Sequence, residues 1–113
     1  MNDTQIDFLK VLAHTYMQHS KWDECLLILT LITRVDPQGA WAHLCLAFTN
    51  IQLKRGQMAI KEVELATPHA KGNERYLAEL LRTKAMWDSG HKEQAQGLMM
   101  EYLSAMPEQP LLT

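Results

Sequence analysis

Residues 9–37 read LKVLAHTYMQHSKWDECLLILTLITRVDP, and their spacing constrains the fold more than any other feature of the chain. Leu9, Leu12, Ala13 and Tyr16 recur at the three-and-four intervals of one helix face. Cys25 and Leu29 do the same after a polar Ser20-Lys21 break, and Asp36-Pro37 closes the stretch. A pair of short amphipathic helices cannot bury its apolar faces alone, so it needs neighbours of the same shape. The chain supplies them. Leu12-Ala13 recurs as Leu46-Ala47, 34 residues on; Cys25, Ala59 and Ala95 stand 34 and 36 apart; Pro37 and Pro107 stand 70 apart. Ser20, Gly56 and Gly90 mark the turn expected inside each hairpin, 36 and 34 apart.

A period near 34 with this order of large and small residues is that of the tetratricopeptide repeat. The two helices of a hairpin cross most closely at the small positions, Ala13 and Cys25, while Leu9, Leu12, Tyr16 and Leu29 fill the space around them. Three stacked units are about the smallest array that buries its own apolar surface. The pattern therefore predicts an all-α array of three helical hairpins, six helices in all. It forms one domain over residues 1–107, with units at about 5–37, 38–68 and 73–107 and a flexible tail at 108–113.

The first helix is expected to start after Asp3-Thr4, with Thr4 as cap and Asp7 completing a weakened capping box, and to run to about His19. The second covers residues 22–35, the third about 40–54, the fourth 57–66, the fifth 73–88 with Asn73 as cap, and the sixth 91–105. Residues 68–72 form the longest loop, and the middle unit reads as stretched in its first helix and shortened in its second. In the third unit the apolar-small pair falls on Arg82-Thr83, which predicts a rotated fifth helix or a shifted register. The polar outer face of the sixth helix (Glu93, Gln96, Gly97, Glu101 and Ser104) can end the array.

Composition narrows the function. Eleven Lys and Arg against thirteen Asp and Glu, a net charge of −2 over 113 residues, give no basic stripe of the kind that binds nucleic acid. The opening residues lack the basic and apolar regions of a secretory signal, and no apolar run approaches the ~20 residues that span a bilayer, so a cytoplasmic chain with no membrane insertion is expected. Cys25 and Cys45 lie on apolar helix faces without metal-ligand spacing and read as buried free thiols. The five histidines are scattered and read as solvent-facing or capping residues, with no metal site. No nucleophile is paired with a base, and no glycine-rich phosphate loop occurs. The chain is not expected to be an enzyme, and no cofactor is implied.

What remains is binding. In such arrays the first helix of each hairpin lines the concave side. Counting from the repeat, the lining positions are Asp7, Lys10, His14, Met17 and Gln18, then Trp41, Leu44, Phe48, Ile51 and Gln52, then Leu77, Leu80, Lys84, Trp87 and Asp88. The middle and far parts of this wall are more apolar than solvation alone requires, and a patch of that kind marks a docking surface. The expected partner-binding residues are Met17, Trp41, Leu44, Phe48, Ile51, Leu77, Leu80, Lys84 and Trp87. Trp22 reads as core. A carboxylate clamp for peptide C-termini is disfavoured: Lys10 suits it, but Cys45, Leu77 and Leu81 occupy the partner positions.

Several features in order carry a more specific likeness. They are a start directly on the first helix, Cys25-Leu26-Leu27, Asp36-Pro37, the shortened middle unit at Gly56-Gln57-Met58-Ala59, and Gly90 to Ala95 with Tyr102. Over nearly its whole length the chain resembles the small three-repeat chaperones of bacterial type III secretion systems. It is most like the Y-type (YscY) family, with the needle-subunit chaperone YscG as a near relative. Arg82 departs from the apolar residue a Y-type chaperone carries there. The resemblance implies a cytoplasmic chaperone of a Gram-negative bacterium that binds a small secreted X-type client as a heterodimer. It implies that the pair contacts the export gate. Alone, the chain is expected to be marginally stable or to self-associate through the same apolar surface. A needle-subunit co-chaperone or a general repeat adaptor for peptides are the alternatives.

Overall fold

The computed structural model describes residues 2–105, with side chains to Glu101. Pro107 and the tail at 108–113 lie outside the described residues. The described chain is all-α: six helices with short connections and no strand among them. They are α1 (Asp3–Gln18), α2 (Trp22–Val35), α3 (Ala40–Gln52), α4 (Gly56–Ala66), α5 (Asn73–Asp88) and α6 (Lys92–Ala105), with a single 3₁₀ turn at Thr67–His69. Each helix packs on the next, and α3 also packs on α5. This is the three-hairpin array that the 34-residue period predicts.

The period is sharpest in the backbone of the three intra-hairpin turns. Ser20 (φ 57°), Lys54 (φ 63°) and Gly90 (φ 89°) are all left-handed. The amide after each reaches back five residues: Lys21 N–H to the Tyr16 carbonyl at 2.9 Å, Arg55 to Asn50 at 2.7 Å, His91 to Met86 at 2.9 Å. The left-handed residue itself bonds three back in every case, to Met17, Ile51 and Trp87. These are the paired bonds that close a helix with a left-handed residue just past its cap. The marker of the middle turn is therefore Lys54, not Gly56. The three stand 34 and 36 apart, in step with Cys25, Ala59 and Ala95. Gly56 is held to glycine by a different constraint, because it opens α4 hard against the end of α5. A Cβ there would run into Ser89 Oγ and lie 2.9 Å from the Ala85 carbonyl oxygen.

The same register carries the packing. Ala13, Cys25, Ala47, Ala59 and Ala95 are all fully buried, and Cys25 Sγ lies 3.8 Å from the Ala13 carbonyl oxygen, so the first hairpin has no room for a larger side chain there. In α5 the register holds as counted from Ala95. Thr83 takes the small position, buried, with its hydroxyl donated to the Glu79 carbonyl at 2.8 Å. A hydroxyl satisfied within its own helix is tolerated where an alanine is usual. Arg82 fills the large position half-buried, and its Nε has no hydrogen-bond partner. The two residues that lengthen the second interval to 36 sit in the α4–α5 connection with the 3₁₀ turn. The middle unit's first helix is not stretched: α3 has 13 residues against 16 in α1 and α5.

Two caps differ from expectation. Asn2, not Thr4, caps α1: Asn2 Oδ1 accepts from the Gln5 amide and Gln5 Oε1 accepts from the Asn2 amide, both at 2.9 Å. Asn and Gln complete the box as Ser and Glu would, and they use two of the orphan donors that every helix start leaves. Asn73 is the first residue of α5 rather than its cap, which is Gly72 at φ 57°. His43 also departs from the reading as a solvent-facing histidine. It is buried, with Nδ1 2.8 Å from Glu62 Oε2 and Nε2 3.0 Å from the Pro37 carbonyl oxygen. Both neighbours are acceptors, so both contacts are hydrogen bonds only when the pair carries one proton more than a neutral ring and a carboxylate. The contact ties the turn before α3 to α4.

The left-handed turns generate a stability prediction. Lys54→Gly removes Cβ strain at an exposed position and should stabilise the chain by about 0.5–1 kcal/mol, a rise of a few degrees in melting temperature. Gly90→Ala, with open space around its Cβ but φ 89°, should cost about 1 kcal/mol through strain alone. Thermal melts followed by circular dichroism check both; opposite signs at the two sites are expected.

Candidate functional site

α3 fixes the site because it divides its surface among three neighbours. Ala40, Leu44, Ala47 and Ile51 join Ala59, Val63, Ala78, Leu81 and Ala85 in one core cluster. Ala42 and Leu46 join Ala13, Cys25, Leu29 and Ile32 in the other. The positions left between them at helical spacing, Trp41, Cys45 and Phe48, are only half-buried. They make a stripe with two core layers behind it and an open face in front.

That stripe is the floor of a groove. Trp41, Leu44, Cys45 and Phe48 from α3, Met17 from the end of α1, and Glu74, Leu77 and Leu81 from α5 enclose a cavity of ≈ 260 Å³. Among the described residues Glu74 is its only charged wall residue, and it is occupied locally: its Oε1 accepts from the Lys71 amide at 3.0 Å. Trp22 stands behind Phe48 edge-on, with ring centroids 5.6 Å apart and planes at 71°, which fixes the phenylalanine from the core side. At the α1 side Lys10 holds its ammonium 5.6 Å from the Trp41 ring centre, and Lys10, Val11, His14 and Trp41 line an open depression that continues the groove. A cation over an indole face contributes on the order of 0.5–1 kcal/mol at an exposed site. It also leaves the ammonium free to meet an anion.

Five of the nine residues expected to bind a partner are thus brought together: Met17, Trp41, Leu44, Phe48 and Leu77. Four are not. Ile51 is 5% exposed and belongs to the core between α3 and α4. Leu80 is half-buried and lies outside the cavity wall. Lys84 is exposed and paired with Asp88 at 3.0 Å, one helical turn on. Trp87 is exposed beyond the groove, with the Lys92 ammonium 5.3 Å from its ring centre. On α5, Ala78, Leu81 and Ala85 pack into the core with α3 and α4, while Leu77 and Leu81 reach the groove wall. Sequence counting placed Cys45 and Leu81 only at clamp positions and missed Glu74, although Cys45 is one helical turn from Trp41 and Leu81 one turn from Leu77.

Burial pushes the Cys45 thiol up to about 12, with the nearby Cys25 adding to it. Burial also raises Cys25, helped by the charge of Glu24 and opposed by its own backbone amide. Among the described residues no group of three or more His, Cys, Asp or Glu side chains could hold a metal ion. Comparison of the chain with protein-family models, curated proteins and solved structures returned no match.

The raised thiols predict slow alkylation. At pH 8 a thiol near 12 is ionised to about one part in 10⁴, against about a tenth for a cysteine at the ordinary value of 9.0. Iodoacetamide should label the folded chain at least about a hundredfold more slowly than the urea-unfolded chain, by mass spectrometry. Since the folded Cys45 ionises above the ordinary value of 9.0, its contribution to stability is complete below pH 9 and is lost as pH rises toward 12.

Proposed function

We propose that the chain is a type III secretion chaperone of a Gram-negative bacterium that holds a small secreted client of the X-type in its apolar groove. The observation that carries this reading is the groove between α1, α3 and α5. It is walled almost wholly by apolar side chains, on the side of the hairpin array that receives extended or helical segments in repeat proteins. An amphipathic client segment lays its apolar side chains on Trp41, Leu44, Phe48 and Leu77, with Met17 adapting to their shape. A client held this way keeps its own assembly surface covered, which makes it a heterodimer partner until export.

Further support comes from what the wall lacks. A clamp for a peptide C-terminus needs polar donors on successive first helices, and the corresponding residues Cys45, Leu77 and Leu81 are apolar wall. No helix of the described residues is long and apolar enough to cross a membrane, which accords with a cytoplasmic site of action for the pair before it meets the export gate. The needle-subunit co-chaperone is the nearest variant of the same mechanism, differing only in the client.

The test uses a residue whose loss leaves the core alone. Leu77 is 43% exposed, so Leu77→Asp should retain the helical circular dichroism of the parent while weakening capture of the X-type client by about ten- to a hundredfold. Trp87→Ala, outside the groove, should change affinity by less than about threefold. Wild-type affinity for Leu77→Asp, or a larger loss at Trp87 than at Leu77, would mean the client binds elsewhere.

A further inference from the structure

We propose that the outer face of α2 is a second docking surface, taken by the same face of another copy of this chain. It is separate from the client groove, whose wall takes no residue from α2 among the described residues. α2 turns Cys25, Leu29 and Ile32 into the core of the array, and it packs on α1 and α3. At about 100° per residue, Glu24, Leu27, Leu31 and Arg34 fall on the roughly opposite side of the helix. All four are exposed, Leu27 at 72% and Leu31 at 40%. Their spacing is three, four and three residues, which is the seam of a coiled coil rather than a scatter of lone apolar side chains.

Charge says what covers this seam. Leu27 and Leu31 occupy its middle, Glu24 closes the N-terminal end with Asp23 beside it, and Arg34 closes the other end. No charged residue stands between Glu24 and Arg34 in the chain. Among the described residues neither of the two has an ion-pair partner. An antiparallel copy of the same helix answers every position. Leu27 of one copy meets Leu31 of the other, Glu24 of one meets Arg34 of the other, and the two-fold axis repeats both contacts. A parallel copy would set Glu24 against Glu24 and Arg34 against Arg34, so the charges also select the orientation. The face is its own complement, and the contact therefore closes as a dimer instead of propagating. The seam runs along a helix of 14 residues, ~21 Å. Two leucines from each copy cover far less than the ~800 Å² per partner of a stable complex, so the dimer is weak and forms at about 100 µM.

Sedimentation equilibrium of the full chain, from about 10 µM to about 1 mM, should show a monomer–dimer equilibrium. Leu27→Asp, at a side chain clear of the core, should keep the helical circular dichroism and raise the dissociation constant at least about tenfold. Glu24→Arg and Arg34→Glu should each weaken the dimer to a similar extent, because each sets two like-charge contacts across the axis. An equimolar mixture of these two variants should associate about as tightly as the wild type, since every arginine then meets a glutamate. The dipole of α2 also favours Glu24 in its first turn and Arg34 in its last, but it gives no rescue on mixing. A wild type that stays monomeric at about 1 mM would overturn the proposal, as would a mixture no tighter than its components. Leu77→Asp, in the groove, should leave the dimer unchanged. A dimer lost with Leu77→Asp and kept with Leu27→Asp would overturn the proposal by placing self-association in the groove. No client enters these measurements, so this proposal and the client reading fail separately.

Discussion

Everything in this structure depends on α3 being packed from two sides at once. Nine of its thirteen residues are buried, and six of them fall in two core clusters that do not share a residue. One cluster joins the middle hairpin to the first and the other joins it to the third. A helix in that position cannot rotate to improve one contact without opening the other. Its orientation is over-determined, and the remaining stripe, Trp41, Cys45 and Phe48, is held facing outward although each of these side chains would gain from burial. A stripe of this kind costs free energy in the isolated protein, at ~25 cal/mol for each Å² of apolar surface left in water.

The turns set the angle at which the flanking helices reach that stripe. All three close their first helix with the same two hydrogen bonds and a left-handed residue, although that residue is Ser20, Lys54 or Gly90. Backbone geometry is thus repeated more faithfully than the side chains that mark it. This explains why the fold is legible in the sequence while one detail of it is not. The apolar and small positions imply six helices, three hairpins and helix ends within two residues of those observed. Gly56 looks like the middle turn marker because glycine is the usual left-handed residue. Here a lysine accepts the strain, and the glycine answers to the steric limit against Ala85 and Ser89.

Less of the groove can be read than of the fold. Met17, Trp41, Leu44, Phe48 and Leu77 follow from the repeat count alone, since the first two hairpins keep the period of 34. On α5 the count reaches the groove wall at Leu77 alone. Lys84 and Trp87 fall at counted positions of α5 but are exposed and lie outside the groove wall. His43 is hidden for a different reason. A buried histidine between a carboxylate and a carbonyl has no signature in spacing, because Glu62 is nineteen residues away and comes near only through the α3–α4 hairpin.

These levels join in one line. A 34-residue period gives hairpins, small residues let them close, and the doubly packed α3 leaves an apolar stripe uncovered. That stripe is the surface proposed to hold a client. The most direct measurement is site-specific photo-cross-linking in the native host, with Leu77→p-benzoylphenylalanine at the groove and Leu65→p-benzoylphenylalanine on the exposed side of α4. The account predicts one discrete adduct with a small secreted protein from position 77 and none from position 65. An adduct from position 65 with none from position 77 would contradict it.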